Sequence, residues 1–336
     1  MIVADNVITM AHGDGGERSH ALIQEVFVEP FASDKEAIFD AATLPWNAGE
    51  VVVSTDSFVV KPIFFPGGNI GKLAVTGTLN DISVSGAKPL YLTCGFIIEE
   101  GFLIKDLKAI VQSMKEEADR FGVKIVAGDT KVVEKGSADG IFINTTGFGM
   151  YVHKRPNPKE IATGDSVLIN GTIGDHGIAL VSARGQLGIT SNVESDCAIL
   201  SEMIDQLQAE VPSIRIMRDP TRGGLATSLV EIAEDFHCKI VLEEQALPIR
   251  DDVHGACDIV GFDPLYLANE GKVIVIVSKE DEVKALEVMQ SFKVGKEAKK
   301  IGEITEIGEG QLLLKTPLGG KRRLSRLAGV MLPRIC

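Results

Sequence analysis

The sequence contains no apolar run of the ~20 residues that a membrane-spanning helix needs. Its strongest apolar run, residues 273–277, is short and predicts a buried strand. The first residues lack the basic and then apolar pattern of a secretory signal peptide. We therefore expect a cytoplasmic protein without a membrane partner.

Basic residues are outnumbered by acidic ones. The 336 residues include 34 Lys and Arg against 47 Asp and Glu, which gives a formal net charge of -13. Nucleic acids and acidic membranes attract proteins through concentrated Lys and Arg. The charge balance therefore predicts that no nucleic acid binds.

Cysteines are few and show no paired spacing. The five lie at positions 94, 197, 238, 257 and 336, with no CxxC motif and an odd total. Structural zinc sites and disulfide frameworks need paired or clustered cysteines. The sequence predicts neither, and it favours a reducing compartment in which the four inner thiols behave as small buried hydrophobic groups.

The length predicts two domains, because single hydrophobic cores stop growing at about 250–300 residues. A polar segment with two prolines, residues 154–159, predicts their boundary. We expect a flexible glycine-rich segment and helix at 1–30, an N-terminal domain at 31–155, a C-terminal domain at 156–328 and a mobile tail at 329–336. Helices are predicted at 18–27, 105–121, 196–208 and 223–235.

Carboxylates follow two predicted strands of the N-terminal half. Asp56 comes near the end of the β-branched run 51–57, and Asp129 lies in the run 124–131. Asp81 lies on a helix between them. Mg²⁺ prefers one or two carboxylates together with phosphate oxygens. The repeated strand-end carboxylates therefore predict a magnesium site formed by Asp56, Asp81 and Asp129, although each one alone is also typical of a turn or a cap.

A glycine-rich loop at residues 64–72, FFPGGNIGK, opens the helix that carries Asp81. It resembles a P-loop but fails the template, because Gly67 and Gly71 are one residue too close and Leu73 replaces the Mg²⁺-binding Ser or Thr. Lys72 at the start of the helix can still bind a phosphate, since free N–H groups and the helix dipole favour anions there.

The second half places further polar groups in tight turns. Residues 171–177, GTIGDHG, form a second glycine-rich turn that carries His176. Residues 218–224, RDPTRGG, predict a helix start with guanidinium groups, which suits an anion. Glu270 lies in an Asn-Glu-Gly turn, an uncommon position for a long acid, and a solvated turn residue is the alternative.

The sequence ends in PRIC, residues 333–336, with a cysteine behind a proline. Counted from Gly329, this tail could extend roughly 25 Å at ~3.3 Å per residue. Its thiol could therefore visit a site on the same subunit, on a neighbouring subunit or on another protein, and we interpret Cys336 as a substrate. A frayed terminus that happens to carry a cysteine is the alternative on position alone.

A series of stretches spanning essentially the whole chain resembles the HypE hydrogenase maturation factors, and PRIC is that family's hallmark. They are STDS at 54–57, FFPGGNIGKL at 64–73, ND at 80–81, GDTK at 128–131, GDHG at 174–177, TRGG at 221–224, NEGK at 269–272 and PRIC at 333–336. The superfamily also includes aminoimidazole ribonucleotide synthetase and selenophosphate synthetase. Selenophosphate synthetases carry Cys or selenocysteine in their N-terminal glycine segment, whereas AHGDGG at 11–16 contains neither, which counts against that branch.

The resemblance implies an α+β fold of two domains with an aminoimidazole ribonucleotide synthetase-like architecture, each a mixed sheet packed with helices. The N-terminal domain would form a homodimer and bind ATP over Mg²⁺ held by Asp56, Asp81 and Asp129. His176 would help to order the site. The nucleotide would be bound by Asp56, Lys72, Asn80, Asp81, Gly128, Asp129, Thr130, Asp219 and Arg222.

The resemblance also implies a reaction. Cys336 would receive a carbamoyl group from the carbamoyltransferase HypF, and the chain would dehydrate this S-carboxamide to an S-cyanide with ATP. The cyano group would pass to iron on a HypC–HypD complex and become a ligand of the nickel-iron hydrogenase centre. Two N–H protons must go to a base, for which Glu270 and Lys131 are the candidates; Lys131 needs a lowered pKa to serve.

Two other functions stay open at this stage. One is an ATP-dependent small-molecule phosphotransferase of the same superfamily, in which Cys336 is incidental and activity survives removal of the tail. The other is a non-catalytic carrier that hands over a metal bound to the Cys336 thiolate. A single thiolate without a nearby His or Cys makes a poor soft-metal site, and a carrier has no need of three acids placed for Mg²⁺.

Overall fold

The computed structural model describes residues 6–13, 17–31, 49–185, 188 and 191–327. The tail 329–336, and with it Cys336, lies outside the described residues, so its role stays a prediction. Within the described ranges, no helix is both long and apolar enough to cross a membrane.

Helices and strands alternate through the N-terminal domain. In chain order they are α1 (Glu17–Leu22), a π-helical turn (Ile23–Val28), α2 (Glu29–Phe31), β1 (Val51–Phe58), β2 (Phe64–Phe65), β3 (Gly68–Asn69), α3 (Ile70–Val84), β4 (Ala87–Glu99), α4 (Ile104–Arg120), β5 (Lys124–Val133) and β6 (Ile141–Tyr151). The main sheet has four strands in the order β1-β6-β4-β5. β4 and β5 are parallel, and the other neighbours are antiparallel.

One face of this sheet is covered and the other is open. α3 packs across β1, β6 and β4, and α4 packs on β5. Because side chains alternate between the faces of a strand, every second residue is buried under the helices, as are Ile143 and Thr145 of β6. The open face carries the exposed apolar side chains of Val51, Val53 and Ile97. The domain therefore has one hydrophobic core and one uncovered sheet face.

The N-terminal helical run belongs to this core. Leu22 and Val26 are buried in it, and the rings of Phe27 and Phe96 lie 4.8 Å apart. The π-helical turn and α2 contact α4. The helix predicted at 18–27 is confirmed, with a π-helical turn in its second half, and its apolar stripe is covered by β4 and α4. The flexibility predicted for the glycine-rich segment before it stays a prediction.

The C-terminal domain is a larger mixed sheet with helices on both faces. Its elements are β7 (Ser166–Ile169), α5 (Asp175–Arg184), α6 (Ser201–Glu210), β8 (Ile214–Arg218), α7 (Gly224–Asp235), β9 (Cys238–Glu243), α8 (Asp251–Val260), β10 (Ile274–Val277), α9 (Glu282–Gln290), β11 (Lys299–Ile307), β12 (Gln311–Lys315) and β13 (Lys321–Leu324). The seven strands follow the order β13-β12-β9-β11-β7-β10-β8. β12 and β9 are parallel, and the other neighbours are antiparallel.

The strand β10 is apolar on both faces, as a sheet covered by helices on both sides requires. Ile274 and Ile276 belong to the core beneath α7, whereas Val275 and Val277 belong to the core beneath α6 and α9. A strand with helices on both faces must be apolar on both. The buried strand predicted at 273–277 is confirmed, as is the α+β fold of two mixed sheets packed with helices.

Candidate active site

A small polar pocket lies where the two domains meet. β1 and α3 form one wall, and the loop after β8 together with Glu270 forms the other. Its volume is about 140 Å³. The lining residues are Thr55, Asp56, Ser57, Phe58, Gly77, Asp81, Asp219, Thr221, Arg222 and Glu270. Asp56, Asp81, Asp219, Arg222 and Glu270 were predicted from the sequence, and the structure brings them together.

The carboxylates of this pocket outnumber its single guanidinium, that of Arg222. Burial raises the pKa of Asp81, although the hydroxyl of Ser54 donates to its Oδ2 at 2.6 Å. Burial, followed by the charge of Asp81, raises the pKa of Asp219 to about 6. Burial, followed by neighbouring carboxylates, raises the pKa of Glu270 well above its ordinary value. The pocket therefore favours a bound cation, which stabilises ionised carboxylates.

The donor set suits Mg²⁺. Asp56, Asp81 and Asp219 offer carboxylates from β1, from α3 and from the loop after β8. Mg²⁺ usually takes one or two carboxylates and completes its shell with water and phosphate oxygens. Among the described residues, no three His, Cys, Asp or Glu side chains converge closely enough to hold a metal ion by themselves, so phosphate oxygens or water would have to complete a Mg²⁺ site here.

Two glycines shape the loop that presents Asp219 and Arg222. Gly223 and Gly224 have φ angles of 76° and 65°, in the left-handed region. A Cβ at Gly224 would lie 2.5 Å from the carbonyl oxygen of Leu267. Glycine is therefore required where the chain turns from β8 into α7. The helix predicted at 223–235 is confirmed.

Glu270 is buried, with only 5% of its surface exposed. The alternative of a solvated turn residue is therefore wrong. A Cβ at Gly77 of α3 would lie 4.0 Å from Glu270 Oε2. Gly77 and Asp81 are four residues apart and share one face of the helix. The carboxyl group of Glu270 thus packs against the glycine of α3, one turn away from Asp81.

Asn80 connects the domains and is not free to bind a nucleotide. Its Nδ2 donates to the carbonyl oxygens of Ala198 and Glu270 at 2.9 and 3.2 Å, and its Oδ1 accepts from Leu200 N at 2.9 Å. These bonds use both amide hydrogens. The predicted nucleotide contact of Asn80 is wrong in this arrangement, because the side chain is buried in the domain interface.

The sequence analysis missed Asp196, which it placed at the start of a helix. α6 begins later, and residues 191–200 lack regular structure. Asp196 accepts hydrogen bonds from the backbone N–H groups of Glu270 and Gly271 at 3.0 and 3.2 Å, and Lys272 Nζ lies 3.1 Å from it. Asp is a favoured helix cap, so the local sequence gave no sign of this long-range contact.

Asp129 and Lys131 do not reach the pocket within one chain. Across the sheet from β1 to β5, Asp56 pairs with Thr145, Thr145 with Cys94, and Cys94 with Gly128. Three spacings of about 4.8 Å therefore separate Asp56 from Gly128, about 14 Å in all. Asp129 and Lys131 point to the open face, each 69% exposed, with their charged groups 3.3 Å apart. The predicted set of three aspartates is wrong for a single chain, because β5 is the far edge strand; Asp219 joins Asp56 and Asp81 instead.

The start of α3 is capped from within. Asn69 Oδ1 accepts from the N–H groups of Gly71 and Lys72 at 2.9 and 3.1 Å, and Lys72 Nζ donates to the carbonyl oxygen of Gly67 at 3.0 Å. Lys72 lies outside the pocket lining, and the same is true of the predicted nucleotide contacts on β5, Gly128 and Thr130. The phosphate site predicted at this helix start is therefore not formed in this arrangement.

The remaining predicted residues support the structure around the site. His176 is buried, with Nδ1 at 2.8 Å from Ser195 Oγ and its ring edge-on to Phe65 at 5.7 Å. The four inner cysteines are buried, as predicted. Burial raises the pKa of Cys94 to about 12, so that thiol stays protonated. Such thiols behave as hydrophobic groups and not as nucleophiles.

A larger groove of about 800 Å³ lies on the C-terminal domain, around Arg250 and Lys296. None of the catalytic, nucleotide-binding or metal-binding residues predicted from the sequence lines it. Its size alone therefore does not make it the functional site, and the small pocket with converging charges is the better candidate.

The chain is similar in sequence and in structure to known proteins. The models of the N-terminal and C-terminal domains of AIR synthase related proteins match residues 39–151 and 162–315. A carbamoyl dehydratase HypE from Rhodobacter capsulatus is 44% identical over 344 residues, and the match covers 100% of both chains. A crystal structure of HypE in complex with ATP is 45% identical, with 97% of this chain and 99% of that chain covered and a TM-score of 0.92. A chain from the crystal structure of a HypE-HypF complex is 50% identical, with 91% and 100% covered and a TM-score of 0.80.

Proposed function

The chain belongs to the HypE family of AIR synthase related proteins, and on that premise we propose that it is an ATP-dependent carbamoyl dehydratase of hydrogenase maturation. The observation that carries the proposal is the domain-interface pocket in which Glu270 faces Asp56, Asp81 and Asp219. Dehydration of a carboxamide needs a phosphoryl donor held near carboxylates and a base shielded from water. This pocket offers carboxylates beside which such a donor could be held, and Glu270 as a buried candidate base.

The described chain ends by running along α7 toward the pocket. Arg326 pairs with Glu234 at 2.7 Å, and the next residue, Leu327, donates its backbone N–H to Thr227 Oγ1 at 3.3 Å. Glu234 lies near the C-terminal end of α7 and Thr227 in its first turn. The last described residue, Leu327, therefore lies beside the end of α7 that adjoins the pocket loop.

This direction supports the S-carboxamide of Cys336 as the substrate. From the first turn of α7, residues 328–336 can extend about 30 Å. The Arg222 loop immediately precedes α7, so the pocket of the same subunit is within that reach. A substrate on a tail can also leave the pocket to meet the proteins that load and unload it.

The proposed reaction moves the carboxamide oxygen to phosphate. That oxygen attacks the γ-phosphorus of ATP, the bond to the leaving oxygen of ADP breaks, and ADP departs. Two N–H protons are then removed, the C–O bond breaks with release of phosphate, and S–C≡N remains. S-carboxamide and ATP thus become S-cyanide, ADP, phosphate and a proton, so the phosphate carries away the elements of water.

Each charged residue of the pocket has a role in this scheme. Asp56, Asp81 and Asp219 would hold Mg²⁺, which when bound neutralises phosphate charge. Arg222 would bind a phosphate oxygen, for which its planar fork is suited. Glu270 would accept an N–H proton. Its raised pKa makes its carboxylate a stronger base than an exposed one, and its burial keeps solvent away.

We propose a homodimer in which the open faces of two N-terminal sheets meet. β1 and β5 are the outer strands of the sheet, and both edges lack a strand partner among the described residues. Exposed sheet edges and apolar faces favour association. With β1 of one chain beside β5 of the other, the partner's Asp129 and the partner's Lys131 would lie near Asp56. The dimer would thus bring to the pocket an acid, the partner's Asp129, and the second candidate base, the partner's Lys131, which lie far from the pocket within one chain.

HypF and a HypC–HypD complex are the proposed partners. HypF would load the carbamoyl group on Cys336, and HypC–HypD would accept the cyano group. A relative is known in complex with HypF. The cytoplasmic setting stays a prediction.

Mass spectrometry of the tail tests this function. Protein carbamoylated at Cys336 is incubated with and without Mg-ATP and then digested to release the C-terminal peptide. We expect that peptide to become lighter by one water only when ATP is present. An unchanged mass during ATP consumption would contradict the proposal and favour a small-molecule phosphotransferase in which Cys336 is incidental.

A further inference from the structure

The peptide groups on both sides of Glu270 are held by side chains from outside its own turn. Its N–H donates to Asp196 Oδ1 at 3.0 Å, and its carbonyl oxygen accepts from Asn80 Nδ2 at 3.2 Å. The next N–H, of Gly271, donates to Asp196 Oδ2 at 3.2 Å. Neither Asp196 nor Asn80 lines the pocket. Their contacts therefore fix the backbone that carries the Glu270 side chain.

Asp196 is itself held in an ionised form. Its side chain is only 3% exposed, and Lys272 Nζ lies 3.1 Å away with its own side chain 9% exposed. Burial alone would raise the pKa of Asp196, but Lys272, His176 and the N–H of Glu270 together hold it below the ordinary value. Buried ion pairs contribute little net stability. A buried pair that also holds two backbone donors is better explained by positioning.

The fit between these segments is close. A Cβ at Gly271 would lie 2.0 Å from the carbonyl oxygen of Asp196, so no larger residue is accommodated there. Asn80 also bonds Ala198 and Leu200, which follow Asp196 in the same segment. The backbone of Glu270 is thus tied to α3, which supplies Gly77 and Asp81 to the opposite wall of the pocket.

We infer that Asp196, supported by Asn80 and Lys272, is a positioning residue that sets the placement of Glu270 against the substrate. The inference rests on the proposed function, because it assumes that Glu270 is the base. Glu270 approaches its substrate from a tight turn, and a side chain in such a turn follows its backbone. A displacement of about 1 Å in a catalytic group can cost about 100-fold in rate.

The test is single-turnover dehydration in the variant Asp196→Asn. Asn matches Asp in size, but one of its two polar atoms becomes a donor and can no longer accept from the N–H of Glu270 or Gly271. We expect the rate constant for loss of water from the Cys336 peptide to fall about 10- to 100-fold. The fraction of chains that react and the calorimetric affinity for Mg-ATP should stay unchanged. A defect in folding alone would do the reverse, because fewer chains would react at the normal rate.

Asp165→Asn is the matched control. Asp165 has a side chain 5% exposed and pairs with Arg215 at 3.2 Å, but it lies outside the pocket and does not touch Glu270. Its loss should lower thermal stability and leave the single-turnover rate constant unchanged. Equal rate constants for Asp196→Asn and Asp165→Asn would overturn the inference.

Asn80→Ala provides an independent arm if Asp196→Asn does not fold. It removes the donor to the carbonyl oxygen of Glu270 and should also lower the rate constant while leaving Mg-ATP affinity intact. A loss of affinity without a slower rate constant would instead mark Asn80 as a nucleotide ligand and overturn the inference. Glu270→Gln distinguishes failure of the proposed base from failure of the positioning inference. If Glu270→Gln dehydrates the carboxamide normally, Glu270 is not the base. If Glu270→Gln is blocked but Asp196→Asn reacts at the normal rate, only the positioning role of Asp196 is refuted.

Discussion

Asp56 and Asp129 follow the same pattern in the sequence and lie in different environments in the structure. Each comes late in a β-branched run, yet Asp56 lines the domain-interface pocket and Asp129 lies on the open face of the sheet. The difference arises because β1 and β5 are opposite edges of the sheet. Asp129 also lies inside β5 and not at its end, so the strand-end position predicted for it is wrong. The strand order decides which site each carboxylate joins.

The two candidate bases differ in the same way, because Glu270 lines the pocket and Lys131 lies on the open face of the sheet. Glu270→Gln should lower the single-turnover rate of dehydration by about 1,000-fold, within the range for loss of a general base. Lys131→Gln should lower it by about 10-fold or less, because Glu270 lines the pocket of its own chain and Lys131 does not. Rapid-quench mass spectrometry of the Cys336 peptide measures both rates, and calorimetry should show normal Mg-ATP binding in both variants. A larger loss in Lys131→Gln would make the lysine the principal base.

Mixed dimers can test whether Asp129 on β5 serves the pocket of the partner chain. One chain carries Asp81→Asn and the other carries Asp129→Asn. If Asp129 serves the partner's pocket, one of the two sites in each mixed dimer keeps both residues, and about half of the activity should return.

Each homodimer of these variants should lack Mg-dependent ATP binding and dehydration. Differently tagged chains, purified as the mixed dimer, allow both readouts. No recovery in the mixed dimer would mean that Asp129 acts within its own chain or that the chains pair through another surface.

The smallest expected effect concerns pH and stability. The pKa of Asp219 is about 6 in the folded protein against an ordinary value of 3.8. Between these pH values the folded metal-free protein binds more protons than the unfolded chain, so the free energy of unfolding falls as the pH rises through this window. Asp219→Asn should remove that loss and stabilise the metal-free protein at pH 7.5 by about 1–2 kcal/mol.

Thermal unfolding in EDTA at pH 5 and at pH 7.5 measures this effect. Glu287→Gln, which removes an exposed carboxylate of α9 in the C-terminal domain, is the control and should change the unfolding temperature little at either pH. A lower unfolding temperature for Asp219→Asn at pH 7.5 would show that the charge of Asp219 is compensated in the free protein.

Periodic and local features of the sequence predicted the elements well. The apolar run 273–277 corresponds to the buried strand β10, and the RDPTRGG turn corresponds to the loop that presents Asp219 and Arg222. These features depend on alternation, on glycine conformation and on helix capping, which act over a few residues. Local patterns of this kind carry enough information to locate strands, helix starts and their polar side chains.

Contacts between distant segments were not predictable in the same way. Asn80 follows the motif expected of a nucleotide ligand, but its partners are Ala198, Leu200 and Glu270. The sequence predicted free N–H groups at the helix start around Lys72, whereas in the structure Asn69 Oδ1 accepts from the N–H groups of Gly71 and Lys72. Such outcomes depend on how the two domains pack, which one sequence does not specify position by position.

The run of Arg326 and Leu327 along α7 bears on how the proposed substrate is delivered. A reactive group on a short tether experiences its target at an effective concentration on the order of millimolar, whatever the amount of protein in the cell. Turnover would then be first order in the loaded chain and insensitive to dilution. A detached C-terminal peptide would need a comparable concentration in solution to react equally fast.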